Sequence, residues 1–319
     1  MKIDNDFVEM MKEDLEGRYP DLKIEKQEIL KINGSKEALI IRKDMEDSVG
    51  IVVYPEDYKI GYEEEKEQIM SFIREQVNTK PELDAFHIDF SKEGLQKHLD
   101  LHVINTDKNQ ELLKKVPHET IHDLSAIAQY RIDDYTTVTI NNDLCGRFKC
   151  SREEVMEMAL QTNREKEYQC ESMRDTILAL AENKEEREIL EEAISEEVPG
   201  LYVITDQNHH SGASVLLHGE YLDEISEHLG DFYILPSSQA ELIVVMDNGT
   251  IDVKELQNIV HEVNNSSALN PRDYLSDNVY YYDGKDHQLS IAEEQNLDKE
   301  MDDNFAKMEK EQELEILFE

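Results

Sequence analysis

Residues 201–246 read LYVITDQNHHSGASVLLHGEYLDEISEHLGDFYILPSSQAELIVVM, and this stretch decides the fold class. Short apolar runs alternate with a helical segment, which is typical of a mixed α and β structure. Residues 219–229 carry apolar side chains at helical spacing and are followed by Gly230, a residue that favours helix termination. The apolar runs predict four strands, at residues 201–205, 213–217, 232–235 and 241–246.

Downstream of this stretch, a second helix and a fifth strand repeat the pattern. Asp252 is a good helix N-cap with Glu255 three residues later, and residues 278–282 predict a strand. The predicted order over residues 199–285 is therefore ββα-ββα-β. Two similar units in succession hint at an internal duplication, although a chance likeness of common elements explains the order equally well.

The first half also mixes helices and strands. Asn33-Gly34 marks the turn of a hairpin over residues 22–42. Residues 118–132 fit either a strand or a helix, and Ser151 stands three residues before Glu154, as in a capping box. Helices are further predicted at residues 5–16 and 63–77, and strands at 50–54, 99–104 and 135–140.

Together these elements predict an α+β fold with two mixed α/β halves. The residues between the halves are charged, prone to helix formation and free of glycine, which predicts an acidic helical connector. We expect an N-terminal half (residues 1–162), the connector (163–198), a C-terminal half (199–285) and an acidic tail (286–319).

Charge is the strongest signal in the composition. The chain has 73 Asp and Glu against 33 Lys and Arg, a formal net charge of −40. Such a surface repels nucleic-acid phosphates and anionic lipid headgroups, so we expect no direct nucleic-acid binding and no membrane binding. An inhibitor that mimics nucleic acid stays open as an alternative, although solubility alone explains a generally acidic surface.

The sequence also predicts the location of the protein and the redox state of its cysteines. No stretch approaches the about 18 apolar residues of a membrane span, and the N-terminus has no apolar signal core. Cys145, Cys150 and Cys170 form no CxxC pair. We therefore expect a cytoplasmic protein with reduced thiols.

One motif points to metal chemistry. His118-Glu119-Thr120-Ile121-His122 matches the HExxH pattern of zinc hydrolases, in which both histidines share one helix face and the glutamate is the general base. Pro117 would place His118 in the first helical turn, where the helix dipole disfavours a cation. A zinc-dependent hydrolase using His118, Glu119 and His122 is therefore an alternative function and not the leading one.

Candidate ligand-binding residues lie near the ends of the C-terminal strands. Ser237 and Ser238 occupy a loop between two predicted strands, where such residues bind ligands or simply form turns. No phosphate loop and no GxSxG motif occurs, so we expect no cofactor and do not favour an enzyme. The other candidates are Glu241, Asn264, Ser276, Asp277 and Tyr280.

Some short stretches carry a resemblance. They are residues 54–61, 105–109, Pro117-His118, Asp123-Leu124, 201–205, Gly212-Ala213, 233–238, Glu241, Val263-Asn264, 275–277 and Val279-Tyr280. Together they resemble a family of uncharacterised bacterial proteins, common in gut anaerobes and known only as a domain of unknown function. The resemblance covers most of residues 1–285 and implies no activity. The second half also resembles a related uncharacterised family of Gram-positive bacteria.

The chain departs from the resemblance at one position. Where the family pattern leads us to expect a histidine directly before Glu241, this chain has Ala240. The leading hypothesis is a non-enzymatic binding or interaction protein. It would recognise a protein or a small polar ligand through its C-terminal half.

Overall fold

The computed structural model describes residues 5–44, 50–79, 88–133, 136–193, 200–266 and 269–293. The chain forms two compact units. The N-terminal unit comprises Met1–Glu167 and Asn270–Leu275, and the C-terminal unit comprises Tyr168–Leu269 and Ser276–Glu319. Helices and antiparallel sheets occur in both units, so the predicted α+β class is confirmed. None of the helices in the described ranges is long and apolar enough to cross a membrane.

The first part of the N-terminal unit is a three-stranded antiparallel sheet covered by two helices. The strands follow the order β1-β2-β3, and the β1–β2 turn lies at Asn33-Gly34 as predicted, with Asn33 at φ 63°. The helices bury apolar stripes against the sheet, including Met11 and Ile73. The elements are α1 (Asn5–Arg18), β1 (Lys23–Lys31), β2 (Gly34–Arg42), β3 (Ile51–Val53) and α2 (Tyr62–Thr79).

A second antiparallel sheet completes this unit. The segment that fitted both strand and helix forms a β-hairpin, because one of its strands is buried along nearly its whole length between neighbours. Ser151 and Glu154 form the predicted capping box. The elements are α3 (Lys92–His98), β4 (Leu99–Asn105), α4 (Gln110–Leu113), β5 (His118–Ile121), β6 (Leu124–Arg131), β7 (Thr137–Thr139), α5 (Asn142–Phe148) and α6 (Arg152–Arg164). Strand β6 pairs with the other three strands.

The C-terminal unit is built on a six-stranded antiparallel sheet. Its elements are β8 (Tyr168–Ser172), α7 (Met173–Ala179), α8 (Lys184–Ala193), β9 (Leu201–Asp206), α9 (Gly219–Leu229), β10 (Phe232–Leu235), β11 (Glu241–Met246), α10 (Val253–Asn265), β12 (Tyr280–Asp283) and β13 (Gln288–Ile291). The strand order is β13-β12-β10-β11-β9-β8. Helix α10 packs Val253, Leu256 and Val260 on the sheet face of Leu235 and Val279. Helix α9 packs against β12, and the hydroxyl of Tyr282 donates to Asp223 at 2.5 Å.

Three details of the predicted order need correction. Residues 213–217 are not a strand but part of a 3₁₀ helix, Gly212–Leu217, because the N–H of Ser214 bonds the carbonyl of Ser211 within the turn. The stretch predicted as a helical connector contains strand β8, which is fixed by pairing with β9. Strand β13 lies in the predicted acidic tail and pairs with β12. Short strands of this kind depend on distant partners that local patterns do not reveal.

Residues 270–275 leave the C-terminal unit and join the N-terminal unit through asparagine side chains. The Asn33 amide nitrogen lies 3.2, 3.0 and 2.8 Å from the carbonyl oxygens of Pro271, Arg272 and Tyr274. Asn105 donates to the carbonyl of Leu275 at 2.8 Å. Asn33 therefore serves both as the turn residue of a hairpin and as the anchor of this segment.

A buried carboxylate organises the second sheet of the N-terminal unit. Asp100 on β4 is 7% exposed and accepts hydrogen bonds from Arg131 and, at 2.6 Å, from Lys166. Burial raises the pKa of this carboxyl, but the two cations outweigh burial and hold the pKa below its usual value. Asp100 is therefore ionised in the folded protein at neutral pH.

We expect Asp100→Asn to lower the free energy of unfolding by about 3 kcal/mol at pH 7, because Lys166 and Arg131 lose their buried counter-charge. The depressed pKa gives stability that is fully present above the unfolded pKa of about 3.9 and is lost as the pH falls towards the folded pKa. The difference between wild type and variant should therefore narrow below about pH 4. Urea unfolding at several pH values measures this difference in the free energy of unfolding.

The control is Glu111→Ala, which removes an exposed partner of Lys114 and should change the free energy of unfolding little. Equal effects of the two substitutions would contradict the role of Asp100.

The division into domains remains a prediction, and the edge strands sharpen it. We expect a fragment of residues 168–293 to unfold cooperatively on heating, because it keeps all six strands of its sheet. A fragment of residues 199–285 lacks β8 and β13 and should melt at a lower temperature or be insoluble, since β9 and β12 become unpaired edges. Circular dichroism compares the two. Absence of a thermal transition in the longer fragment would mean that this unit does not fold alone.

Candidate functional site

The HExxH segment does not form the helix that a zinc hydrolase requires. His118 and Glu119 are neighbours on β5, so their side chains point to opposite sides of the sheet. His122 follows in the turn at φ 53°. In the ranges that the structure describes, no group of three or more His, Cys, Asp or Glu side chains is arranged to hold a metal ion. The arrangement on which the zinc alternative relied is therefore missing.

Ser237, Ser238 and Glu241 lie together at the turn between β10 and β11. The Ser238 Oγ accepts the N–H groups of Ala240 and Glu241 at 3.2 and 3.3 Å, and the Ser238 N–H donates to the Glu241 carbonyl at 3.1 Å. These bonds are those of a turn-forming serine. Glu241 begins β11 and is exposed.

The structure brings together three other predicted residues. The Asn264 amide donates to the Ser276 carbonyl at 2.9 Å and to the Asp277 carboxylate at 2.8 Å. These bonds join the end of α10 to the start of β12. The side chains of Ser276 and Tyr280 are fully buried, which leaves Asn264 and Asp277 as the accessible members of this group.

A buried polar network that the sequence did not predict follows strand β9. Asp206 is 1% exposed, and its Oδ1 accepts the N–H groups of His210 and Ser211 at 2.8 and 3.1 Å. The Ser214 Oγ donates to the Ser211 carbonyl at 2.5 Å, so the Tyr168 hydroxyl, 2.8 Å away, is the donor to Ser214. The network thereby fixes the loop after β9 to the first residue of β8.

The same loop is joined to the β10–β11 turn by its backbone. The N–H groups of Gly212 and Ala213 donate to the carbonyls of Ala240 and Gln239 at 3.2 and 3.1 Å, and the Thr205 hydroxyl also donates to Ala240 at 2.9 Å. A Cβ at position 212 would lie 2.2 Å from the Ala240 oxygen. Only glycine permits this approach without a shift of the backbone.

Beside this network lies an open cleft of about 350 Å³ between α9 and strands β8 and β9. In a strand, alternate residues share a face, and the β8–β9 register therefore puts Tyr168, Cys170 and Tyr202 on the face that meets α9. The helix contributes one stripe at helical spacing. The lining residues are Tyr168, Gln169, Cys170, Tyr202, Tyr221, Glu224, Ile225, His228 and Leu229.

Aromatic packing positions the inner wall of the cleft. The ring centroids of Tyr168 and Tyr221 are 5.5 Å apart and their planes are tilted by 40°. His218 packs edge-on against both rings at 5.8 and 5.9 Å. The His218 Nδ1 also accepts the Tyr221 N–H at 3.1 Å and caps α9. The orientation of Tyr221 is thus coupled to the buried network through its neighbours.

Burial also sets the ionisation of the cleft. It raises the pKa of the Cys170 thiol to about 11 and, with the nearby Cys170 and Glu224, raises the pKa of Tyr221 to about 12. Both groups are therefore protonated at neutral pH. Glu224 is exposed at the helix, and the described residues that line the cleft include no lysine or arginine.

A larger depression, of about 520 Å³, flanks the β1–β2 turn in the N-terminal unit. Several of its polar groups already have partners. Lys36 pairs with Glu56 and Asp57 at 3.3 and 3.4 Å, and Asn33 is occupied by the carbonyls of residues 271–274. We therefore regard the tyrosine-lined cleft as the better candidate site.

Sequence reasoning missed the cleft because its residues come from three elements. A usable signal was present in the alternation of Tyr168, Cys170 and Ser172, which is typical of a half-buried strand. On α9, Tyr221, Ile225 and Leu229 are spaced four residues apart and line one face. Neither pattern indicates a site without the pairing of β8 with β9.

Comparison with known proteins identifies a family. The model of a family of unknown function, DUF5688, matches residues 4–284. No curated protein and no solved structure shows significant similarity to the chain. The family match spans both compact units.

We expect Gly212→Ala to lower the free energy of unfolding by about 1–3 kcal/mol, because the added methyl group collides with the backbone of Ala240. Gly219→Ala at the start of α9 is the control, since no atom lies within 4 Å of its added Cβ. Urea unfolding followed by circular dichroism compares the variants. If Gly212→Ala is as stable as the control, the close approach does not constrain the loop.

Proposed function

The chain belongs to DUF5688, a family of unknown function, and we propose from its geometry that it is a binding protein whose C-terminal unit holds a small ligand in the tyrosine-lined cleft. The observation that carries the proposal is the cleft itself. It presents three tyrosines and two aliphatic side chains around about 350 Å³. Small-molecule sites are concave, mostly apolar, carry few polar groups and have volumes of roughly 300–1,000 Å³.

The inner wall of the cleft is held in place before any ligand arrives. Tyr168 is anchored by its hydroxyl on Ser214, and Tyr221 is fixed by packing on Tyr168 and His218. A preformed wall reduces the entropy lost on binding. This rigidity supports a recognition role.

The chemistry of the cleft supports binding more than catalysis. A thiol with a pKa near 11 is mostly protonated at neutral pH, so Cys170 is a weak nucleophile. The Asp206 carboxylate is engaged by backbone N–H groups, which is a loop-stabilising role. The net charge of −40 supports a ligand other than a nucleic acid.

We expect a ligand-observed NMR fragment screen of the full chain to yield ligands that are lost in Leu229→Trp. The indole would fill the cleft at the end of α9. Ile259→Trp is the matched control, because Ile259 is 50% exposed on α10 and the change adds the same bulk outside the cleft. The control should keep the ligands.

Both variants must keep the wild-type melting temperature within a few degrees for the comparison to hold. Ligands that bind wild type and both variants alike would place binding outside the cleft and overturn the proposal. Absence of any ligand for wild type in the screen would also count against it.

A further inference from the structure

The geometry points to a quaternary ammonium group as the ligand of this cleft, held against the tyrosine rings with Glu224 as counter-charge. This inference rests on the proposed binding function and names the chemical class of the ligand. It draws on the three tyrosines and the apolar side chains of the lining, and on the charge of the lining.

The tyrosines come from three different elements and converge on one space. Tyr168 lies on β8, Tyr202 on β9 and Tyr221 on α9, and all three line the cleft. The rings of Tyr168 and Tyr221 pack on each other with centroids 5.5 Å apart and a tilt of 40°, so together they form one aromatic wall. Aromatic faces carry partial negative charge, and sets of such rings bind alkylated ammonium ions.

The charge of the lining favours a cation over an anion. Glu224 supplies a carboxylate, and the described lining residues hold no lysine or arginine to attract an anion. The other ionisable residues of α9 are also acidic or histidine, namely Glu220, Asp223, Glu227 and His228. The net charge of −40 adds a long-range attraction for small cations.

The inner wall of the cleft offers rings and apolar surface to a cation. The Tyr168 hydroxyl already donates to Ser214, so this residue offers its ring. Cys170, Ile225 and Leu229 are apolar or weakly polar contacts. Gln169, Glu224 and the hydroxyls of Tyr202 and Tyr221 are acceptors that a primary ammonium could use. A quaternary ammonium carries no N–H donor, so ring and apolar contacts together with the charge of Glu224 would hold it.

Choline and its uncharged isostere 3,3-dimethylbutan-1-ol test the inference on the full chain. The two molecules have the same shape, and only choline carries the positive charge. We expect choline to bind about tenfold or more tightly than the alcohol, as titration calorimetry or ligand-observed NMR would measure.

Substitutions of the lining residues test whether choline binds in the cleft. Tyr221→Leu should weaken choline binding by about tenfold, whereas Tyr221→Phe keeps the ring and should keep the affinity within about threefold. Glu224→Gln should weaken choline binding a few-fold and leave the alcohol unaffected. Tyr202→Leu provides a second ring deletion at a half-buried position if Tyr221→Leu fails to fold.

The outcomes separate this inference from the proposed function. Equal affinity for choline and the alcohol would show a cleft that selects apolar bulk, which overturns the inference and leaves the binding function standing. If fragments bind in the cleft and choline does not, the inference is likewise overturned and the binding function stands. If neither probe binds and the fragment screen is also empty, both proposals fail.

Discussion

The approach of the Gly212 backbone to Ala240 is the constraint on which the C-terminal unit depends. It brings the loop after β9 within hydrogen-bonding distance of the β10–β11 turn. Asp206, Ser211 and Ser214, in the same loop, are buried, and their hydrogen bonds form the network that holds Tyr168. The backbone contact and the inner wall of the cleft are therefore connected through this network of hydrogen bonds.

Among the residues that the structure describes, two carboxylates are buried, those of Asp100 and Asp206. Asp206 accepts hydrogen bonds from backbone N–H groups, whereas Asp100 pairs with two cations. Both solutions are costly to disturb, because an unpaired carboxylate cannot remain buried in a medium of low polarity. The cleft residue Glu224 stays exposed and available, which distinguishes it from the carboxylates that maintain the fold.

Local patterns predicted the elements that carry their own signals. Helices α9 and α10 and strands β10 and β11 have regular apolar spacing and clear boundaries, and the structure has them close to the predicted positions. Strand β8 was missed because only its pairing with β9 distinguishes it from the charged helices around it. The group of Asn264, Ser276 and Asp277 was predicted from strand ends, but the cleft depends on tertiary contacts among ordinary tyrosines.

Because residues 270–275 belong to the N-terminal unit, a cut in the chain between the units would not separate the two pieces. Neither compact unit is a continuous stretch of polypeptide, because this segment belongs to the first unit and interrupts the second. Suppose the peptide backbone were cut between Ala193 and Gly200. The N-terminal piece would contain both β8 and Asn33. Strand β8 pairs with β9 of the C-terminal piece, and Asn33 bonds the carbonyls of residues 271, 272 and 274 of that piece. The two pieces would thus interlock at separate places, and a nicked molecule would migrate as a single species until denatured.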